Sequence, residues 1–278
     1  NLHPTEGYVI LPSVAALLNG GGVYHYAPRE HALERRCILN KAASDILAAT
    51  LPAGSFLIGL TSVHWREAWK YGERAYRYCQ HDVGHALGAV CVAATALDWH
   101  VALLSALSDA AVAGLLGINR TGDFIDGEAE HPDLIAAVLT IPNSIIPDNL
   151  PEGLIASVRA SHWVGKANQL SSAQVDWTAI SIAEEATIKP PTVSLRFPAS
   201  AGIGPQASKP AGLGPSAATI IRQRRSAVDM DGRTGLSRDA FIGMLARTLP
   251  HRTHTPWTTI GFPPRINLCM FVHRIDGL

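Results

Sequence analysis

Between residues 189 and 215 the chain carries Pro190, Pro191, Pro198, Pro205, Pro210 and Pro215, interleaved with glycine, alanine and serine. Proline fixes φ and removes a backbone donor, so this stretch nucleates neither a helix nor a central strand. It reads as a linker over 189–218, with one structured region before it (1–188) and another after it (219–278). With 47% hydrophobic residues and 23 Lys and Arg set against 23 Asp and Glu, the chain is not a disordered one and has no global basic field for nucleic acid. No run of about 20 apolar residues is present to cross a membrane. The longest candidate, Ala86 to Leu97, is bounded by His85 and by Asp98-Trp99-His100 and reads as a core helix. The chain opens without an initiator Met or a secretory signal and so reads as trimmed or as a fragment. Cys37, Cys79, Cys91 and Cys269 lie far apart with no C-x-x-C pair, the pattern of a reduced cytoplasmic protein.

Residues 6–26 read as strand, turn and strand, with Tyr8 to Leu11 and Val23 to Tyr26 flanking the glycines at 20–22. A helix is expected from Arg29 to about Ala49, then a short strand from Ser55 to Leu60. Ser62 is placed to cap a helix carrying Trp65, Trp69, Tyr76 and Cys79 on one face, with helical character continuing to Leu97. A third helix is expected from about Val101 to Leu116, ending near Gly117. Asp123 to His131 reads as a solvated acidic loop. After the linker, Ser237 is a good N-cap for a helix striped by Phe241, Met244, Leu245 and Leu249, and Arg265 to Val272 reads as a strand.

Four constellations could carry chemistry. Lys70 and Tyr71, within the polar run from Trp65 to Tyr78, can exchange protons if the helix is partly buried, since burial lowers a lysine pKa and a cation stabilises phenolate. Equally, Lys70, Arg74 and Arg77 can form an exposed basic face with Glu67 and Glu73 as helical partners. His81 and His85 at i and i+4, with Asp82 between, resemble a zinc-hydrolase arrangement, although the base is short by a methylene and no third ligand is evident. Asp229-Met230-Asp231-Gly232 opens like a calcium loop, but Arg233 at the fifth position and Ala240 at the twelfth rule that out. Arg222-Gln223-Arg224-Arg225-Ser226 suits a phosphate, because guanidinium presents a planar fork, and is otherwise a solvated basic run.

The run Lys70-Tyr71-Gly72-Glu73-Arg74-Ala75-Tyr76-Arg77-Tyr78 followed by Asp82-x-Gly84-His85 resembles the nitroreductase superfamily, specifically its SagB-type dehydrogenase branch. The opening Asn1-Leu2-His3-Pro4-Thr5-Glu6, the Val23-Tyr24-His25-Tyr26 segment and Arg224-Arg225-Ser226 are similar to further pieces of that pattern. The resemblance implies an α+β fold, with a central, mostly antiparallel sheet flanked by helices and a long interface helix over Gly84 to Leu97. It also implies FMN bound at the interface of a homodimer or of tandem units acting as a pseudo-dimer. By the same resemblance Arg224, Arg225 and Ser226 hold the FMN phosphate or ribityl, and Asn1, His3 and Pro4 lie near the isoalloxazine. Lys70 and Tyr71 are the proton-transfer pair. Residues 1–188 then form one unit lacking its opening segment, and 219–278 the start of a second. The implied activity is an FMN-dependent oxidoreductase, with NAD(P)H as a possible reductant, passing hydride to or from a nitro, quinone or azoline-like group on a small molecule or modified peptide. No nucleic-acid or membrane partner is expected, and no residue is assigned to a metal. A non-catalytic nitroreductase-like module and a His-ligated metal hydrolase are the alternatives.

Overall fold

Alternating burial along Thr5–Leu11 (β1) places Tyr8 and Ile10 on one face, and the glycines before Gly22–Ala27 (β2) let the chain return antiparallel, with Tyr8 opposite His25. The computed structural model describes residues 3–13, 20–120, 122–125, 128–146, 148–170, 175–194, 214–250 and 255–277. The chain divides into two compact units, Asn1–Leu195 and Arg196–Leu278.

In the first unit β2 continues not into a helix from Arg29 but into a second hairpin, whose return strand is Ala32–Ile38 (β3). Pro28 and the left-handed His31 make the turn, and Ala27 pairs with Ala32. The register slips between Val23 and Tyr24, so that Arg36 has no counterpart on β2 and turns inward. The expected helix is confined to Lys41–Thr50 (α1), which starts where the Asn40 side chain accepts the Ala43 N–H at 2.8 Å. Phe56–Ser62 (β4) pairs with β1 on one side and with His131–Leu139 (β6) on the other. Ser62 ends this strand rather than capping the helix His64–Tyr71 (α2), whose N-cap residue is Val63.

Gly72 at φ +58° breaks the helix, and a single 3-10 turn leads into Ala75–Ala96 (α3), the long helix that the resemblance implies. The start of the expected third helix is instead the strand His100–Leu103 (β5), and the helix itself is Asp109–Leu116 (α4), capped by Ser108 and ended by left-handed Gly117. Glu152–Arg159 (α5), His162–Trp163 (β7) and Thr178–Ala186 (α6) complete the unit. The sheet is antiparallel throughout, in the order β5-β6-β4-β1-β2-β3-β7.

Successive residues of a strand face opposite sides, and two cores follow from that alternation. Leu57, Ile135, Ala137, Tyr8 and Ile10 pack on α1, α4 and α5 through Leu47, Leu115, Leu116, Leu154 and Val158. Ile58, Leu60, Ala136 and Val138 pack on α3 through Val83, Leu87, Cys91 and Ala94. Residues 189–192 stay with this unit, since Lys189 donates to Leu107 O at 2.6 Å and accepts from the Asp109 N–H. Residues 195–213, most of the expected linker, lie outside the described ones.

In the second unit are Ala217–Gln223 (α7), Leu236–Ser237 (β8), Arg238–Thr248 (α8, with Ser237 as its cap) and Ile275–Asp276 (β9). Residues 265–272 form no strand: the only sheet pairing of the described residues here is the two-residue parallel contact of β8 with β9, and Phe271 stands exposed.

A Cβ on Gly117 would lie 2.1 Å from the rigid Trp163 ring, at φ +73°. Gly117→Ala is therefore expected to lower unfolding free energy by about 3 kcal/mol, the sum of left-handed strain and overpacking, as read by urea denaturation.

Candidate functional site

The end of β4 is where the sheet changes from apolar to polar. Thr61 and Ser62 are fully buried, and consecutive residues point to opposite faces, so each hydroxyl needs its own acceptor. The start of β6 supplies both. Thr61 donates to Glu130 Oε2 at 2.6 Å on one face, and Ser62 donates to Asp133 Oδ2 at 2.7 Å on the other. The expected solvated loop 123–131 is in fact where buried acids enter the fold. Asp123 pairs with Arg36 and Arg120, and Glu128 is 4% exposed.

On the first face the Tyr8 hydroxyl donates to Glu130 at 2.8 Å. Glu6 binds His25 Nε2 at 2.8 Å and contacts Arg66, while Arg66 donates to the His3 carbonyl at 3.0 Å. Burial pushes the Glu130 carboxyl above the usual range despite its bonds from Thr61 and Tyr8. Burial also acts on Glu6, but His25 and Arg66 outweigh it and hold that carboxyl low. His25 is raised: burial opposes its charge, and the bonds from Glu6 and Glu34 prevail.

On the second face, α6 lies over α2 and α3, with Ile180 against Ala68 and Ala75. A cavity of about 450 Å³ opens there, walled by Trp65, Trp177, Val175 and Ile180 and floored by His64, His131 and Glu184. The Glu184 Oε1 contacts His64 Nδ1 and lies 3.3 Å from His131 Nε2, and the two imidazole centroids are 4.6 Å apart. Burial lowers the His131 pKa, with Glu184 opposing and His64 assisting. Burial raises Asp133 to about 6, against the Ser62 bond and the His64 charge.

The residues singled out in the sequence fall in several places. Asn1 lies outside the described residues. His3 adopts φ +47° and leads into buried Pro4, whose carbonyl accepts the Val63 N–H at 2.7 Å, so both sit at the start of α2. Lys70 and Tyr71 sit at its other end, roughly 10 Å away at 1.5 Å per residue. Lys70 is exposed with its ammonium 5.1 Å from the Tyr71 ring centroid, and Tyr71 meets Tyr78 edge to face at 4.9 Å. Arg224, Arg225 and Ser226 are exposed residues of the second unit, where Arg225 donates to the Arg222 and Arg224 carbonyls. His81 and His85 are exposed, and His85 faces Asp82 at 3.8 Å, so the helical His pair converges on no third ligand. Sequence reading missed Glu130, His131, His64 and Glu184. The usable signal was the alternation Glu128, Glu130 and Pro132 against Ala129, His131 and Asp133 running straight into an apolar strand.

The sheet, its two helical layers and the long helix α3 define a nitroreductase-like α+β fold. Residues 2–126 match the nitroreductase family. A crystal structure of a nitroreductase candidate from Anabaena variabilis ATCC 29413 is similar at TM-score 0.60 and 21% identity, over 100% of this chain and 56% of that one. This chain thus spans little more than half the length of that protein. The E. coli microcin synthetase McbBCD complex with truncated pro-MccB17 bound aligns over 51% of this chain and 53% of its own, at TM-score 0.40 and 19% identity. A search of curated proteins gave no match.

The Glu6–His25–Arg66 cluster has a pH signature. His25 is raised in the fold, so its contribution is complete below its unfolded value and is lost as pH rises through the folded one. Glu6→Gln is expected to cost about 1–3 kcal/mol at pH 6 and less at pH 9, measured by urea unfolding at both.

Proposed function

We propose that this chain is part of an FMN-dependent oxidoreductase of the nitroreductase type, with Lys70 and Tyr71 as its proton-transfer pair. The observation that carries the reading is the family match over 2–126, which includes both residues, on a nitroreductase-like α+β fold. The flavin, when bound, supplies two-electron hydride chemistry between a reductant such as NAD(P)H and a nitro, quinone or azoline-like group. The chain's own residues would supply proton handling, from a Lys70 ammonium that stands 5.1 Å from the Tyr71 ring centroid.

Neither of two cavities among the described residues of the first unit fits the whole cofactor. The one above His64 holds Glu184 and Asp176 and, among the described residues, no lysine or arginine, which opposes a phosphate. The other, about 310 Å³, holds Arg120 and Arg159 but only Trp163 as an aromatic wall. We therefore propose that the flavin is held only when nitroreductase-like units pair, as a homodimer or a pseudo-dimer. Arg224, Arg225 and Ser226 would serve as the phosphate clamp, and Asn1, His3 and Pro4 would lie beside the ring. Helix α3 leaves room for such pairing, since among the described residues nothing lies within 4 Å of where a Cβ would stand on Gly84 or Gly88.

The purified chain titrated with FMN is expected to turn yellow and to oxidise NAD(P)H with a quinone or nitroaromatic acceptor. Lys70→Ala and Tyr71→Phe should retain flavin yet lose about 100-fold in turnover. Colourless protein that takes up no added FMN sinks the flavin assignment. Unchanged turnover in both variants makes the pair a packing feature.

A further inference from the structure

His64 begins α2, His131 begins β6 and Glu184 lies in the last helix of the first unit, yet each offers a ligand atom and all three atoms fall within 4.8 Å of one another. We propose that His64, His131 and Glu184 bind a divalent transition-metal ion of the Zn²⁺ class, with at least one coordination position open to the cavity above them. The proposal does not depend on the flavin reading.

Three observations converge on it. Two nitrogens and one carboxylate oxygen form a donor set typical of catalytic zinc and related ions, and too soft for Mg²⁺ or Ca²⁺. Ligand atoms about 2.0–2.2 Å from a tetrahedral ion lie roughly 3.3–3.5 Å apart. The His131–Glu184 separation of 3.3 Å already matches that spacing, and rotation of the Glu184 side chain opens the closer contact to His64.

His64 is 5% exposed and turns Nδ1 to Glu184, so Nδ1 is the ligand atom, and Nε2, which has no hydrogen-bond partner among the described residues, is left to donate to a water as an outer-shell contact. The cavity is a cation's environment as well: Glu184 and Asp176 line it and, among the described residues, no lysine or arginine does. Trp65 and Trp177 line it too, each with a buried indole N–H lacking a partner among the described residues. A water or carboxylate on the open position can accept from them, so the ligand class that completes the site is a small oxygen acceptor.

No ion is needed to hold these groups near one another, so binding must be measured. The full chain, stripped with a chelator, is titrated with Zn²⁺ by calorimetry and with Co²⁺ by visible absorption, with quenching of Trp65 and Trp177 fluorescence followed in parallel. One ion per chain is expected, with d–d bands of a four- or five-coordinate Co²⁺ site. Glu184→Gln and His131→Gln should each weaken binding by about 100-fold or more, beyond the usual cost of losing an outer-shell partner. His85→Ala, on the exposed face of α3, should leave binding unchanged. Circular dichroism of each variant establishes that it folds, and two separate ligand substitutions keep the test intact if one does not. No stoichiometric binding by the wild type, or binding that survives Glu184→Gln and His131→Gln in folded protein, overturns the proposal.

Discussion

Strand β4 is buried on both faces and paired on both edges, and most of the first unit is arranged to satisfy it. Leu57 and Ile58 begin it as purely apolar contacts, one to each core. Gly59 follows where α4 comes so close that a Cβ would stand 2.6 Å from Leu116. By Thr61 and Ser62 the strand has become polar without leaving the interior. An unsatisfied buried hydroxyl costs about 1–3 kcal/mol, so the neighbouring strand must present acceptors at those two levels. Glu130 and Asp133 do so from opposite faces. Those carboxylates bring their own demands, and Tyr8, His64 and Gln80 gather around them.

The same constraint explains which parts of the structure could be read in the sequence. Short apolar runs beside glycine turns or a Pro-Ala-Gly stop located β1, β2 and β4, and the Leu87, Val90, Cys91 and Ala94 stripe located α3. Ala32 to Ile38 follows neither the helical nor the strand period: Leu33 is exposed, and the bulge at Arg36 places two neighbouring residues, Arg36 and Cys37, inside together. A bulge is fixed by its pairing partner, and nothing in Glu34-Arg35-Arg36 announces it. Val101 to Leu103 was lost for a different reason, since three apolar residues before a helix fit its first turn as well as an edge strand.

The acidic stretch was misread through composition. Charge density alone describes a solvated loop, yet Asp123 meets Arg36 from β3, and Glu130 meets Thr61 from β4, partners 87 and 69 residues away. Such pairings are long-range and set by topology. The family pattern, by contrast, is local: Lys70, Tyr71 and the residues after them are contiguous, which is why they could be recognised without the fold, while the cluster of His64, His131 and Glu184 could not.

Helix α6 decides whether the second face has a cavity at all. It packs on α2 and α3 where Gly72 has no side chain: a Cβ there, at φ +58°, would press on Trp177 at 3.1 Å. With Trp177 seated over the break between the helices, Ile180 enters the groove beside Ala68 and Ala75, and two turns of helix carry Glu184 to the two histidines. Thr187 then closes the helix and binds the Tyr76 hydroxyl at 2.6 Å. The left-handed glycine that ends α2 beside Lys70 and Tyr71 therefore also sets the position of the carboxylate near His64. Trp177 thus packs both against the break that ends α2 and in the wall of the cavity that holds Glu184, so the seating of one ring links the end of α2 to the position of that carboxylate.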